Sequence, residues 1–340
     1  MLHKGILNAG IVRSTDPLRM QKAFCLFRHM IAVIFCSQDA HASKTRDDPM
    51  KIHPRCTYCL LSRIHMEAEL STDDEELTNK AIMGGIDILN RMYVPGMPAA
   101  VLSTVMHRKA YEILSDNDPY REKKELSSMT AQRFLPVIRS HVFNGDSDDA
   151  GTFKRAVLAA VIGNYFDYGV MGLDVPIDIF DRTFTEHFKR GLDIDDTGKM
   201  LGRLDNVVYL ADNCGEILID TLVFEVIRKM GGKITLVVRG APILNDATME
   251  DIERFKLADK VDRVLTTGSN AIGVCLDEAP EELKEALANA SLIISKGMAN
   301  YETMSEESYR PIAYLLKVKC DPVGEDIGAP LGCSVARIFE

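Results

Sequence analysis

The chain has 340 residues, of which 46% are hydrophobic and 26% charged. Forty Lys and Arg stand against fifty Asp and Glu, a formal charge of −10. These values suit one large domain or two ordinary ones. They exclude a disulfide-rich miniprotein, a collagen-like chain and a disordered acidic polymer, and the acidic balance argues against binding a nucleic-acid backbone.

Residues 1–49 differ from the rest. Seven Lys or Arg there face four Asp, so the remainder carries about three more negative charges than the total shows. The apolar run 30–36 is too short to span a bilayer, and the lead before it is too long for an ordinary signal peptide. The segment reads as an extension, poorly ordered or translated from an early start codon, and less readily as a targeting peptide. No other stretch reaches membrane-spanning length. Eight scattered Cys with a single Cys-x-x-Cys fit a reducing cytoplasm better than secretion.

Residues 50–200 read as a helical domain. Residues 73–91 lead with acidic groups and place Ile82, Ile86 and Leu89 at helical spacing. Pro98 opens a second amphipathic segment, and 119–142 is a third, interrupted or kinked near Pro136. Residues 152–168 form a fourth, and 176–191 a fifth, with Pro at its start and Gly at its end.

After Asp205 the pattern changes. Short apolar runs at 206–212, 233–239, 262–267, 291–295 and 312–318 read as strands. They alternate with helices at 216–230, 248–258 and 280–289. Residues 201–340 are therefore expected to form a Rossmann-like α/β domain with a mostly parallel sheet, on which the helical region packs. Ligands in such sheets sit beyond the carboxyl ends of the strands.

Those ends are polar in a particular way. The first offers Asp212, Asn213, Cys214, Gly215 and Glu216; the second, Asn245, Asp246 and Thr248; the third, Thr266, Thr267, Gly268 and Ser269; the fourth, Lys296 and Gly297. Helix capping would explain Asp212 or Asn245 taken singly. A Lys straight after a buried strand is costly unless it meets an anion. Taken together, two carboxylates, amides and a Lys describe a hard cation beside a phosphate. The last His in the chain is His187. A Ser-His-Asp triad or a His-rich zinc site contained within 188–340 is therefore excluded. In the helical region, Asn164 and Asp167 fall three residues apart on one face, after Gly163 in an apolar helix. They would either line a cleft or sit at a solvent-facing helix end.

The set G-N-x-x-D (163–167), D-N-x-G-E (212–216), N-D-x-T (245–248), K-G-x-x-N (296–300) and K-C-x-P (319–322) resembles the metal-dependent damage-control phosphatases, first catalogued as domain of unknown function eighty-nine. Residues 50–338 carry the resemblance, most closely to stand-alone archaeal and bacterial members with an N-terminal Cys-x-x-Cys. It implies a divalent metal (Mg, Mn, Co or Ni) on Asp212, Asn213 and Asp246, with Lys296 on the phosphate. It implies Asn164 and Asp167 in the cleft, and motif positions at Gly297, Asn300 and Glu216. The implied partner is a small phosphorylated metabolite, with no nucleic acid and no membrane; the oligomeric state is not legible. Asp212, Asp246 and Lys296 are the expected catalytic residues. Either water attacks in line or Asp212 attacks first, and water is preferred because Asp212 is assigned to the metal. Cys214 stands where Ala is common in the family, either beside the metal or turned into the core.

Cys56 and Cys59 form the Cys-x-x-Cys, and the resemblance pairs them with Cys320. A structural zinc, a redox pair and plain buried thiols remain open. Two other readings of the whole chain also stay open: an S-adenosylmethionine-dependent methyltransferase, which the single glycine in the first turn disfavours, and a non-catalytic nucleotide- or phosphate-binding module.

Overall fold

The computed structural model describes residues 50–144, 148–164 and 177–340. Seven strands form one sheet: β1 (Ile194–Asp195), β2 (Asn206–Leu210), β3 (Lys233–Val238), β4 (Arg263–Thr266), β5 (Leu292–Lys296), β6 (Ile312–Lys317) and β7 (Ser334–Phe339). Their spatial order is β1-β7-β6-β5-β2-β3-β4. Strands β4, β3, β2, β5 and β6 run parallel, β7 is antiparallel to β6, and β1 is parallel to β7. The mixed α/β class and the mostly parallel sheet are as expected from sequence. β1 and the antiparallel β7 were not foreseen.

Helices cover both faces, so the strands are apolar on both sides. Along β2, Val207 and Tyr209 enter one core while Val208 and Leu210 enter the other. The first face packs against α4 (Arg121–Phe143), α5 (Asp149–Gly163) and α8 (Glu216–Lys229), with α6 (Ile177–Arg190) behind α5 and the single turn α7 (Thr197–Met200) nearby. The second face takes α10 (Glu281–Ala288), α11 (Gly297–Met304) and α12 (Asp321–Ile327). The short α9 (Met249–Arg254) follows β3 and is closed by a capping box between Thr248 and Asp251. α4 runs unbroken through Pro136 as one helix.

The first three helices, α1 (Pro54–Ser71), α2 (Glu75–Met92) and α3 (Ala99–Leu114), form a separate bundle. Its apolar interior includes Ile243 and Ile272, from the loops after β3 and β4, and touches Ala299 of α11. The bundle therefore sits over the carboxyl ends of the strands. Arg108 of α3 fixes it there, with two hydrogen bonds to Glu278 at 2.8 and 2.6 Å and a third to Asn270 at 2.8 Å. The loop after β4 thus anchors the bundle through Asn270 and Glu278. Among the described residues no helix is long and apolar enough to cross a membrane.

Candidate active site at the topological switch point

The chain runs from β2 outward through β3 to β4, then returns to the other side of β2 as β5. The crevice between the carboxyl ends of β2 and β5 is the switch point, where ligands bind in open α/β sheets. Asp212 and Asn213 leave β2 there, and Lys296 and Gly297 end β5.

The local backbone explains the arrangement. Ala211 N–H donates to Val237 O and Ala247 N–H donates to Asp212 O, so the β2 and β3 ends continue side by side. A bridge between Asn213 and Asp246 brings the two motifs together. The first turn of α8 carries no side-chain cap, so neither Asp212 nor Asn213 is a capping residue. Gly215 is required because a Cβ there would lie 2.7 Å from the Ser127 carbonyl oxygen on α4. Gly297 adopts φ +74°, and a Cβ on it would overlap the Asp212 carboxylate. Gly163 lets α5 approach α8 closely, since its Cβ would sit 3.0 Å from Ile219.

Asn164 caps the end of α5 and joins three elements. Its Nδ2 donates to Asp212 Oδ2 at 2.8 Å and to Glu216 Oε2 at 3.0 Å, and its Oδ1 accepts from Lys317 N–H at 3.3 Å. Asn213 Nδ2 donates to the same two carboxylates, at 2.9 and 2.6 Å. Both amides meet the Asp212 side chain at Oδ2. The network thereby turns Asp212 Oδ1 and the Asn213 amide oxygen away from these donors. Asp246 is held by Arg239, whose Nε lies 2.5 Å from Oδ2. Arg239 is itself fixed by Gly273 O at 2.6 Å and Asn300 Oδ1 at 2.8 Å, and Asn300 donates to the Ala211 and Lys296 carbonyls.

The electrostatics are unbalanced toward negative charge. Burial pushes the Asp212 carboxyl well above its usual range, and the neighbouring Glu216 and Asp246 push it further; Lys319 and Arg239 pull the other way. An oxygen donor set whose members repel one another in a buried crevice fits a cation: Asp212, Asn213 and Asp246 offer two carboxylates and an amide. Among the described residues, no group of three or more His, Cys, Asp or Glu is arranged to hold a metal, so the amide is an essential part of any such set.

Lys296 is fully buried beneath this crevice. Its ammonium donates to Glu216, to Asp220 at 2.7 Å and to the Ala160 carbonyl at 3.1 Å. Three acceptors use all three protons. The anions that stabilise this buried Lys are thus the two carboxylates of α8. Burial alone would lower its pKa, but Asp220 and Glu216 hold it above the usual lysine range. Burial and repulsion from Glu216 lift Asp220 to about 6 against the attraction of Lys296.

Sequence reasoning missed Asp220 and Arg239. Asp220 interrupts the apolar run 217–224 one helical turn after Glu216, which was a visible signal. Arg239 read as the polar end of a strand. Asp167 lies outside the described residues. The Cys214 thiol is turned into the core, near the Lys124 carbonyl at 3.7 Å, and burial pushes its pKa up. Cys56, Cys59 and Cys320 share one neighbourhood with Glu302, and an ion pair between Arg55 and Asp321 ties the two segments together. Burial, with Glu302 and the other two thiols, raises Cys320 to about 12.

Fold and site together define a Rossmann-like α/β protein with an oxygen, amide and ammonium network at its switch point. Residues 52–335 match the model of the damage-control phosphatase ARMT1-like domain, and the chain belongs to that family. It is 43% identical over 292 residues to a damage-control phosphatase of Archaeoglobus fulgidus, covering 86% of this chain and all of that protein. It is 30% identical over 290 residues to a damage-control phosphatase of Pyrococcus horikoshii, covering 84% of this chain and 97% of that one. A crystal structure of a DUF89 family protein from Pyrococcus horikoshii superposes with a TM-score of 0.78 at 28% identity, covering 86% of this chain and all of that one.

Proposed function

We propose that this protein is a metal-dependent phosphatase that hydrolyses phosphomonoesters of small metabolites. The observation that carries the reading is the buried set Asp212, Asn213 and Asp246 at the switch point, where the carboxylates' mutual repulsion favours a bound cation. Family membership supports phosphatase chemistry. The Gly-rich turn of a methyltransferase is missing after β2, where the one glycine serves packing against Ser127.

A divalent cation (Mg, Mn, Co or Ni) held by Asp212, Asn213 and Asp246 would neutralise charge on the phosphoryl oxygens. The chain's own groups prepare the place. Asn164 and Asn213 orient the Asp212 carboxylate through Oδ2. Arg239 aligns Asp246. Lys296 fixes Glu216, and so the two amides that Glu216 accepts from, while its charge lies directly under the crevice. Lys319 adds a positive charge felt at Asp212. Gly297 leaves the space that Asp212 occupies. Water is the preferred nucleophile over Asp212, whose carboxylate is engaged by two amides.

The test is release of phosphate from para-nitrophenyl phosphate by protein stripped with EDTA and then supplied with each cation. The reading expects turnover only with added metal and its loss in D212A. Full metal-dependent turnover by D212A overturns the site assignment. Metal-independent turnover overturns the metal requirement, and a thermal shift with adenosylmethionine in place of turnover supports the methyltransferase reading.

A further inference from the structure

Lys317 ends β6 on the side of the crevice that the proposed chemistry leaves unused. β5 and β6 pair with Lys296 opposite Leu315, so Lys317 shares the sheet face of Lys296 but lies two residues further toward the strand ends. Its backbone N–H is bound by Asn164, the residue that also binds Asp212. It stands two strand spacings from β2, about 10 Å.

The side chain is 5% exposed. Among the described residues its ammonium has one hydrogen-bond partner, the Ser334 hydroxyl at the start of β7, at 3.3 Å. The nearby carboxylate attracts it but accepts its hydrogen bonds elsewhere: Asp193 Oδ1 accepts from Arg190 at 2.8 Å and Oδ2 from the Ser334 N–H at 2.7 Å. The groups that bear on Lys317 are His187 and Arg190 on α6, Asp193 just beyond it, Cys333 before β7 and Lys319 on its own segment. His187 is held neutral, at about 4, by burial and by Lys317 and Arg190. Burial brings Lys317 itself down to about 8 against the attraction of Asp193, with the positive charge of Arg190 and Lys319 adding to the fall. Contrast Lys296, one strand away, whose three protons meet two carboxylates and a carbonyl. Among the described residues no carboxylate hydrogen-bonds the Lys317 ammonium, although Asp193 attracts it from nearby, and a buried ammonium so placed is costly unless an anion arrives from outside.

We propose that Lys317, supported by Ser334, is a second anion subsite, so that the preferred substrates carry another anionic group, a carboxylate or second phosphate, some two strand widths from the phosphate that is cleaved. This rests on the phosphatase reading and names its substrate class. Phosphorylated sugar acids and bisphosphates fit; neutral sugar monophosphates lack the second group.

The test compares 6-phosphogluconate with glucose 6-phosphate, six-carbon esters that differ in a carboxylate. The expected wild-type kcat/KM ratio favours the acid about tenfold, the scale of one charge-assisted hydrogen bond. K317M brings the ratio close to one, and K317R keeps most of the preference. A wild-type enzyme that hydrolyses both esters without preferring the acid overturns the proposal, independently of how any variant folds. So does an unchanged ratio in folded K317M. Failure of the metal-loaded wild type to release phosphate from either ester or from para-nitrophenyl phosphate refutes the phosphatase reading instead, and is distinguishable from a lost preference.

Discussion

Replacing Gly297 by Ala probes how the backbone places the site. The residue has φ +74°, and an ideal Cβ would overlap Cγ and Oδ2 of Asp212 and lie 2.7 Å from Oδ1. The left-handed conformation costs an L-residue roughly 1–2 kcal/mol. The overlap requires Asp212 to move, with loss of the Asn164 and Asn213 bonds at 2.8 and 2.9 Å. Each such bond to a charged group contributes about 1.5–3 kcal/mol. A displacement near 1 Å at the reacting centre lowers turnover on the order of 100-fold. G297A is therefore expected to lose about 4 kcal/mol or more of stability by urea unfolding and about two orders of magnitude in metal-dependent phosphate release. G198A is the control, because nothing lies within 4 Å of that Cβ and it should leave both measurements unchanged. Wild-type turnover in G297A would refute the claim that this glycine makes room for Asp212.

Three further outcomes follow from buried charge. K296M strands Glu216 and Asp220 and should destabilise by about 3–5 kcal/mol, with much of this recovered when E216Q and D220N are added; an unaltered urea midpoint in K296M would contradict the ion-pair network. K317M should be more stable than wild type at pH 7. A fall from the ordinary lysine range to about 8 corresponds to about 3 kcal/mol of buried-charge cost. That cost is fully present below pH 8 and is relieved as the pH rises toward the unfolded lysine value, so the stability gap should close across that window; a gap that widens there would contradict the assignment. Native-state alkylation read by mass spectrometry should label exposed Cys59 well before Cys214, whose buried thiol has a raised pKa; early labelling of Cys214 would place it in the crevice instead.

The parallel core of the sheet was legible because each strand is a short, nearly continuous apolar run between turn residues. β7 was not, since its sequence SVARIF mixes small and charged residues and its antiparallel pairing with β6 leaves no crossover helix to announce it. α11 and α12 are hidden because the residues that open them read equally as strand-end motifs. The division of the helices was also invisible. Apolar spacing predicts a helix but not its partner, so nothing in 50–200 showed that α1–α3 cap the strand ends while α4–α6 pack around the sheet.

The site was legible at the level of motifs, and the structure brings Asp212, Asn213, Asp246, Asn164, Asn300, Lys296 and Gly297 to one switch point. What spacing could not show was which polar group meets which. Lys296 faces Glu216 and Asp220 across the interface between β5 and α8, a pairing between residues about eighty positions apart. Arg239 reaches Asp246 and Asn300 in the same way. These partners convert a row of strand-end residues into an oriented network, and they become visible only when α8 and the loop after β3 are folded against the sheet.

Asp212, Asn213 and Asp246 are proposed to hold a divalent cation. Anomalous diffraction from crystals of the wild-type protein soaked in Mn²⁺ tests it most directly. One peak is expected within about 2.3 Å of oxygens from all three residues, absent in crystals of D212A soaked alike. A saturating soak that leaves this crevice without a peak, or an equal peak in D212A, would contradict it.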